Sequence, residues 1–264
     1  MGFLINGIEL NEPSKKWKVS ERSKVLPAIS RRVQSLTRPG RSGVVRVPAD
    51  YDVGSFTLVV NSPRANVETL AALLSTPDAV LTHSDRAGVE ALLDLVSIDY
   101  PRLAPSDRVV AVTAVYRLTE SFWRDAADST TAAVSLASGS GSVEPWTGLS
   151  APVEDALVLV HGPATSIEAV DHLTGSGFAW SGTLDSSSSL VYDMDSQEAR
   201  ITAGSSFTGG TDATGGLVMI GDRMRLWPVV DSGDLTTAAR IDFTVVGASA
   251  ATEAQVRGRA SYAV

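Results

Sequence analysis

Three histidines, thirty acidic residues and no cysteine are what this 264-residue chain offers for chemistry. His83, His161 and His172 stand far apart in sequence, so no two lie three or four residues apart on a helix, the spacing of a helical metal pair. His161-Gly162-Pro163 reads as a turn at a strand end. Asp193-Met194-Asp195 places two carboxylates on one face if it is extended, a geometry able to chelate a hard cation or to sit as two turn acids. No serine has glycine two positions before and after it, and no Gly-x-x-x-x-Gly-Lys cradle for phosphate is present. A glycosidase needs two carboxylates facing each other across a cleft, and the sequence singles out no pair. Without cysteine there is no disulfide, thiolate metal site or sulfur nucleophile. The chain is therefore not expected to be an enzyme, nor to carry a metal or cofactor.

The tryptophans are the next candidates. An exposed Trp on a β-sandwich can stack on sugar rings, whereas a buried one fills a core. Trp227, before Pro228 in an apolar run, reads as core. Trp180, between Gly177 and Gly182, is the candidate for exposure and for a sugar contact. Trp146 can serve in either role.

The elements that would position these residues are almost all strands. Phe3-Leu4-Ile5-Asn6-Gly7-Ile8-Glu9-Leu10 is a hairpin around an Asn-Gly turn. Trp17–Ser20, Gly43–Val47 and Ser55–Val60 read as short strands, with Arg38–Gly43 as a loop. The pattern Val67, Leu70, Ala71, Leu73, Leu74 predicts a short amphipathic helix with Asn66 as N-cap and Pro77 as its stop. Strands follow near Ala79–Thr82, Leu92–Tyr100 and Arg108–Arg117.

Beyond Asp125 the composition changes. No lysine occurs there, and alternating segments from Thr130–Leu136 to Val256–Tyr262, with Met224–Pro228 among them, are separated by Gly, Ser and Asp clusters. That spacing predicts a sandwich or barrel. Ser138–Ser142 reads as a linker or a hairpin loop. Two domains are expected, residues 1–128 and 129–264, joined just after Phe122-Trp123-Arg124-Asp125. Phe122 and Trp123 should pack near that junction, with Arg124 or Asp125 in a polar contact.

Charge is unevenly spread. Between Ser14 and Arg46 lie ten Lys and Arg residues against Glu21 alone, a net of +9 in a chain that is −8 overall, which leaves −17 for the remainder. Beyond Trp17 no aromatic residue is interleaved with these charges, so a charge-matched protein contact is expected rather than specific nucleic-acid binding. The N-terminus lacks a signal-peptide pattern, and no apolar run reaches the ~20 residues of a membrane span. A soluble protein made in a cytoplasm, with no membrane partner, is expected.

The order of these elements resembles the distal tail proteins of long-tailed bacteriophages. The resemblance rests on the hairpin at residues 3–10, the turn into Gly43–Val47, the helix at Val67–Leu74, the strand at Val109–Leu118 and the Phe122–Asp125 exit. Leu226-Trp227-Pro228, Ala239–Val246 and the closing Arg257–Tyr262 complete it. It implies a mainly β protein with one small helix: an N-terminal, ring-forming, split-barrel-like α+β domain and a galectin-like β-sandwich. It implies a virion protein at the tail tip, assembled in the host cytoplasm as a homo-hexameric ring. The tail-tube protein and the tail-tip hub protein would be its partners, and the sandwich would hold receptor-binding proteins.

For such a ring the basic segment supplies an expected contact. Lys15, Lys16, Arg31, Arg32, Arg38 and Arg41 provide charge, and Val25, Leu26, Ile29, Val33 and Leu36 the buried part. Two rival classes remain at this stage: a sugar-binding host-adhesion sandwich, which needs an exposed aromatic and polar cluster, and a cell-wall hydrolase, which needs a carboxylate pair or metal cluster.

Overall fold

Asn6 and Gly7 both take positive φ, 50° and 76°, the left-handed conformation that a two-residue hairpin requires and that Asn and Gly adopt at little cost. Phe3–Ile5 therefore folds back on Ile8–Glu9. The turn is also tied sideways. The Asn6 amide donates to the Val80 carbonyl and the Val80 amide donates to Asn6 Oδ1, each at 2.9 Å. The structure is a computed structural model, and it describes residues 2–23, 30–31, 34–37, 44–47, 51–52, 54–99, 108–120, 122–233 and 235–263.

The chain divides into two compact units, residues 1–126 with 263–264, and residues 127–262. In the first, one antiparallel sheet runs in the order Ile8–Glu9, Phe3–Ile5, Ala79–His83, Arg86–Asp99, Val109–Leu118, Ser55–Pro63, Lys18–Val19. Trp123–Asp125 adds to Arg86–Asp99 through the pairs Val89–Asp125 and Glu90–Arg124. Every second residue of the central strands is buried: Val110, Val112, Ala114 and Tyr116 on one, Phe56, Leu58 and Val60 on the next. That alternation puts one face of the sheet toward a core and the other toward solvent.

The helix Val67–Leu74 covers the inner face. Val67, Leu70 and Leu74 are its buried residues, as the spacing predicts. Asn66, expected as the N-cap, makes no side-chain cap bond; its Nδ2 donates to the Lys15 carbonyl at 2.8 Å, because a single 3-10 turn at Arg64–Asn66 precedes the helix. The far end is held by Tyr116, whose hydroxyl donates to the Leu74 carbonyl at 2.6 Å. This gives one of the orphan carbonyls of a helix C-terminus a partner.

The second unit is a sandwich. One sheet runs Ser129–Thr130, Glu253–Gly258, Leu157–His161, Ser188–Asp193, Glu198–Ala203, Thr211–Asp212, with Val134–Ser135 also on Glu253–Gly258. The other runs Ser140–Val143, Ile241–Val246, Ala164–Asp171, Gly177–Leu184, Leu217–Ile220. Their inner faces share one apolar cluster that includes Val158, Val160, Ile167, Phe178, Leu190, Tyr192, Ile241 and Phe243. Phe178 and Tyr192 stack across it with ring centroids 4.1 Å apart.

Two expectations needed correction here. The Ser138–Ser142 run, read as a linker or a hairpin loop, is a turn inside the second unit that leads into an edge strand, Ser140–Val143. Its Gly/Ser composition hides it, but an edge strand needs only paired backbone, and a Cβ on Gly141 would lie 2.6 Å from Leu136 Cδ2. Met224–Pro228 is not a strand: Leu226 makes only an isolated bridge to Val153, and the ladder begins at Pro228–Val230. Proline lacks an amide donor and is tolerated at the first residue of a strand.

Tyr116 and Tyr192 are fully buried. Burial pushes the Tyr192 phenol up to about 12 and raises Tyr116 as well. A folded pKa above the unfolded value of about 10 means that the stabilisation is complete below pH ~10 and is lost as pH rises through the folded value. A phenolate absorbance titration should show late-ionising tyrosines whose titration coincides with loss of the near-UV circular dichroism. Ionisation of all five tyrosines near pH 10 with the fold intact would contradict this burial.

Candidate functional site

The indole of Trp180 is 3% exposed and its Nε1 donates to the Ala213 carbonyl at 3.2 Å. The glycines around it make room for the ring and do not expose it. A Cβ on Gly182 would lie 2.4 Å from the ring carbon Cζ2, and one on Gly216 would lie 2.7 Å from Nε1. Trp180 is thus a core residue, and the exposed sugar-stacking face expected of it is covered. Trp146 is buried too, donating from Nε1 to Ser129 Oγ at 2.8 Å. Trp227, expected in the core, is only half-buried.

A groove of ≈ 590 Å³ opens on the second unit, lined by Asp193, Glu198, Arg200, Asp212, Thr214 and the backbone of Gly209 and Gly210 among others. Hairpin register builds it: Asp193 stands opposite Glu198, and Arg200 opposite Asp212. Most of these groups already have partners. Asp193 Oδ1 accepts the amides of Asp195 and Ser196 at 2.9 and 3.3 Å, and its Oδ2 lies 3.8 Å from Arg200. Hydrogen bonds from the Thr214 amide and hydroxyl hold the Asp212 carboxyl below the usual carboxylate range. Asp195 points to Arg223 at 2.9 Å. The Asp193–Asp195 pair is therefore a turn and ion-pair device. Among the described residues no group of three or more His, Asp or Glu could hold a metal ion. Among the described residues no aromatic ring lines the groove.

Among the described residues a nucleophile–base contact joins His161 Nδ1 to Ser189 Oγ at 3.0 Å. Ser189 is fully buried and its hydroxyl donates to the Gly204 carbonyl. With its proton committed and no path for a substrate, the pair ties two strands together at the register point His161–Ser189.

The residues expected at the junction lie next to the unit boundary in sequence. Phe122 and Trp123 are both buried, at 6% and 4% exposure, Arg124 is buried and ion-paired to Glu120 at 3.6 Å, and Asp125 is half-buried. In the basic segment, Lys15 and Lys16 are exposed in the turn before Lys18–Val19. Arg31 lies in a strand Ser30–Arg31 paired with Tyr51–Asp52, and Leu36 in Gln34–Thr37 paired with Val44–Val47. Val25, Leu26, Ile29, Arg32, Val33, Arg38 and Arg41 lie outside the described residues.

A feature with no sequence forecast is an open strand edge. Ala79–His83 pairs with Arg86–Asp99 only as far as Leu93. Asp94–Asp99 is bonded on its other side to Val109–Leu118, and no described strand covers its free side. The sequence announces a strand at Leu92–Tyr100, but alternation reveals the two faces of a strand and not its lateral neighbours.

No family model matches the chain, and no curated protein matches it. Solved structures do match. The Dit protein (gp 19.1) of phage SPP1, described as a paradigm of the hub adsorption apparatus in phages infecting Gram-positive hosts, is 15% identical at a TM-score of 0.61, with 99% of this chain and 98% of that chain covered. The phage P2 baseplate in its activated conformation with Ca is 8% identical over 99% of both chains, at a TM-score of 0.41 that is too low to define a shared fold. From one end to the other, the chain has the fold of the SPP1 Dit protein, the mainly β architecture that its resemblance to distal tail proteins implies.

Proposed function

We propose that this protein is a structural component of a long-tailed phage, the distal tail ring that joins the tail tube to the tail-tip hub and scaffolds host-recognition proteins. The observation that carries the reading is the fold shared with the SPP1 Dit protein over essentially the whole of both chains. In this reading the N-terminal unit forms a homo-hexameric ring and the sandwich projects outward to hold receptor-binding proteins. Assembly takes place in the host cytoplasm and the finished ring sits at the tail tip. The basic segment from Lys15 to Arg41 contributes to the subunit contact. The sugar-binding alternative loses its main support with Trp180 in the core and no aromatic ring in the groove.

The test is immunogold labelling of virions with antibody raised against the purified protein. Gold is expected at the tail end distal to the capsid; labelling of the capsid, or of no part of the particle, would contradict the reading. The two units are further proposed to be separate folding domains, joined beyond Asp125. Exposed junctions are cut first, so limited proteolysis should release a stable C-terminal fragment of about half the chain. Uniform resistance along the chain would count against two domains.

A further inference from the structure

We infer that the subunits meet head to tail, with the acidic strand edge Asp94–Asp99 of one copy, which no described strand covers, against the basic edge Lys15–Lys18 of the next. The inference rests on the ring reading above and names the surfaces that would close it.

The two edges flank the same part of the sheet and share one row, that of Asp99, Thr113 and Val59. Asp99 stands opposite Thr113 and Thr113 opposite Val59. The Ser20 amide, just past Lys18–Val19, donates to the Val59 carbonyl at 2.8 Å. Two rows further along, Lys18 stands opposite Asn61. At this end the sheet is therefore four strands wide, with its edges three strand spacings, about 14 Å, apart.

The charges lie on the same face. Ala114 and Tyr116 point inward and are fully buried, so Thr113 and its partner Asp99 point outward. Asp94, opposite Arg117, points outward with them. Val60 is buried, so Asn61 and its partner Lys18 also face out. Asp94, Ser97 and Asp99 are exposed, as are Lys15, Lys16 and Lys18. A neighbour laid against the open edge would bring unlike charges together on one face.

The two edges are not equivalent as acceptors. The outward amide of Val19 already donates to Asn11 Oδ1 at 2.9 Å, so the basic edge would meet the acidic one through its lysine side chains and not by strand addition. The acidic edge has no such cover among the described residues, and Val96, at the register shift between Leu95 and Ser97, is 61% exposed. Natural sheets shield edges of this kind, commonly by covering them. A two-fold dimer through this edge would set aspartate against aspartate. Acid against base is instead a heterologous contact, which generates a ring where the rotation closes.

The test uses native mass spectrometry of the full chain at matched concentration, with four samples: wild type, Asp94→Lys/Asp99→Lys, Lys15→Glu/Lys16→Glu/Lys18→Glu, and the combined variant. All five positions are exposed, so circular dichroism should match wild type, with the thermal transition only slightly lowered where the reversed charge at position 94 faces Arg117. The inference expects rings from wild type, at least a tenfold loss of ring from each charge-reversed variant, and recovery in the combined variant. Rings that persist in both reversed variants would overturn this contact and leave the ring reading standing. A wild type that stays monomeric at every concentration would overturn both.

Discussion

Trp180→Ala is expected to lower the stability of the C-terminal unit by about 3–5 kcal/mol, the range for emptying a buried tryptophan site. The ring sits in the apolar cluster between the two sheets and its Nε1 donates to the Ala213 carbonyl. Its site is shaped by Gly182 and Gly216, which approach so closely that neither tolerates a Cβ beside the ring. Truncation leaves a cavity bounded by backbone that cannot collapse inward, and an acceptor without its donor. Denaturant unfolding followed by circular dichroism measures the loss. A change below ~1 kcal/mol would place the ring at the surface and revive the sugar-stacking role.

Gly177→Val should cost about 3 kcal/mol, the upper end for overpacking. The residue lies inside Gly177–Leu184, and a Cβ there would stand 2.0 Å from the Ala169 carbonyl oxygen and 2.7 Å from Val170 Cα. Both are backbone atoms of the adjacent strand, so relief requires opening the ladder between Ala164–Asp171 and Gly177–Leu184. Gly175, two residues earlier, provides the control. Its φ is +67° and nothing lies within 4 Å of a Cβ, so Gly175→Ala meets strain without a clash and should cost about 1–2 kcal/mol. Equal losses at the two positions would show that close approach is not what reserves position 177 for glycine.

Much of the fold is legible in the sequence because local rules decide it. Asn6-Gly7 can turn in one way, and Val67, Leu70 and Leu74 can share only a helix face. The alternation of Val109–Leu118 announces a half-buried strand. What stays hidden depends on neighbours distant in the chain. Glycines around Trp180 read equally as a loop or as space for a ring, and only the approach of Gly216 decides between them. The Gly/Ser run at 138–142 reads as a linker or a hairpin loop, and its strand stays hidden because backbone pairing with Ile241–Val246 leaves no trace in side chains. Asn66 has the right type for a cap, but the 3-10 turn before the helix draws its side chain to Lys15. For the candidate site, the basic segment is plain in the charge count. The acidic edge that complements it is not, because Asp94 and Asp99 acquire meaning only where Ala79–His83 stops short.

A fold that serves assembly is tested most directly by the copy number of the purified wild-type protein. Native mass spectrometry, with negative-stain images of the same sample, should show a closed ring of six copies with a central opening. A stable monomer across the accessible concentration range, with no ring in the images, would contradict the account.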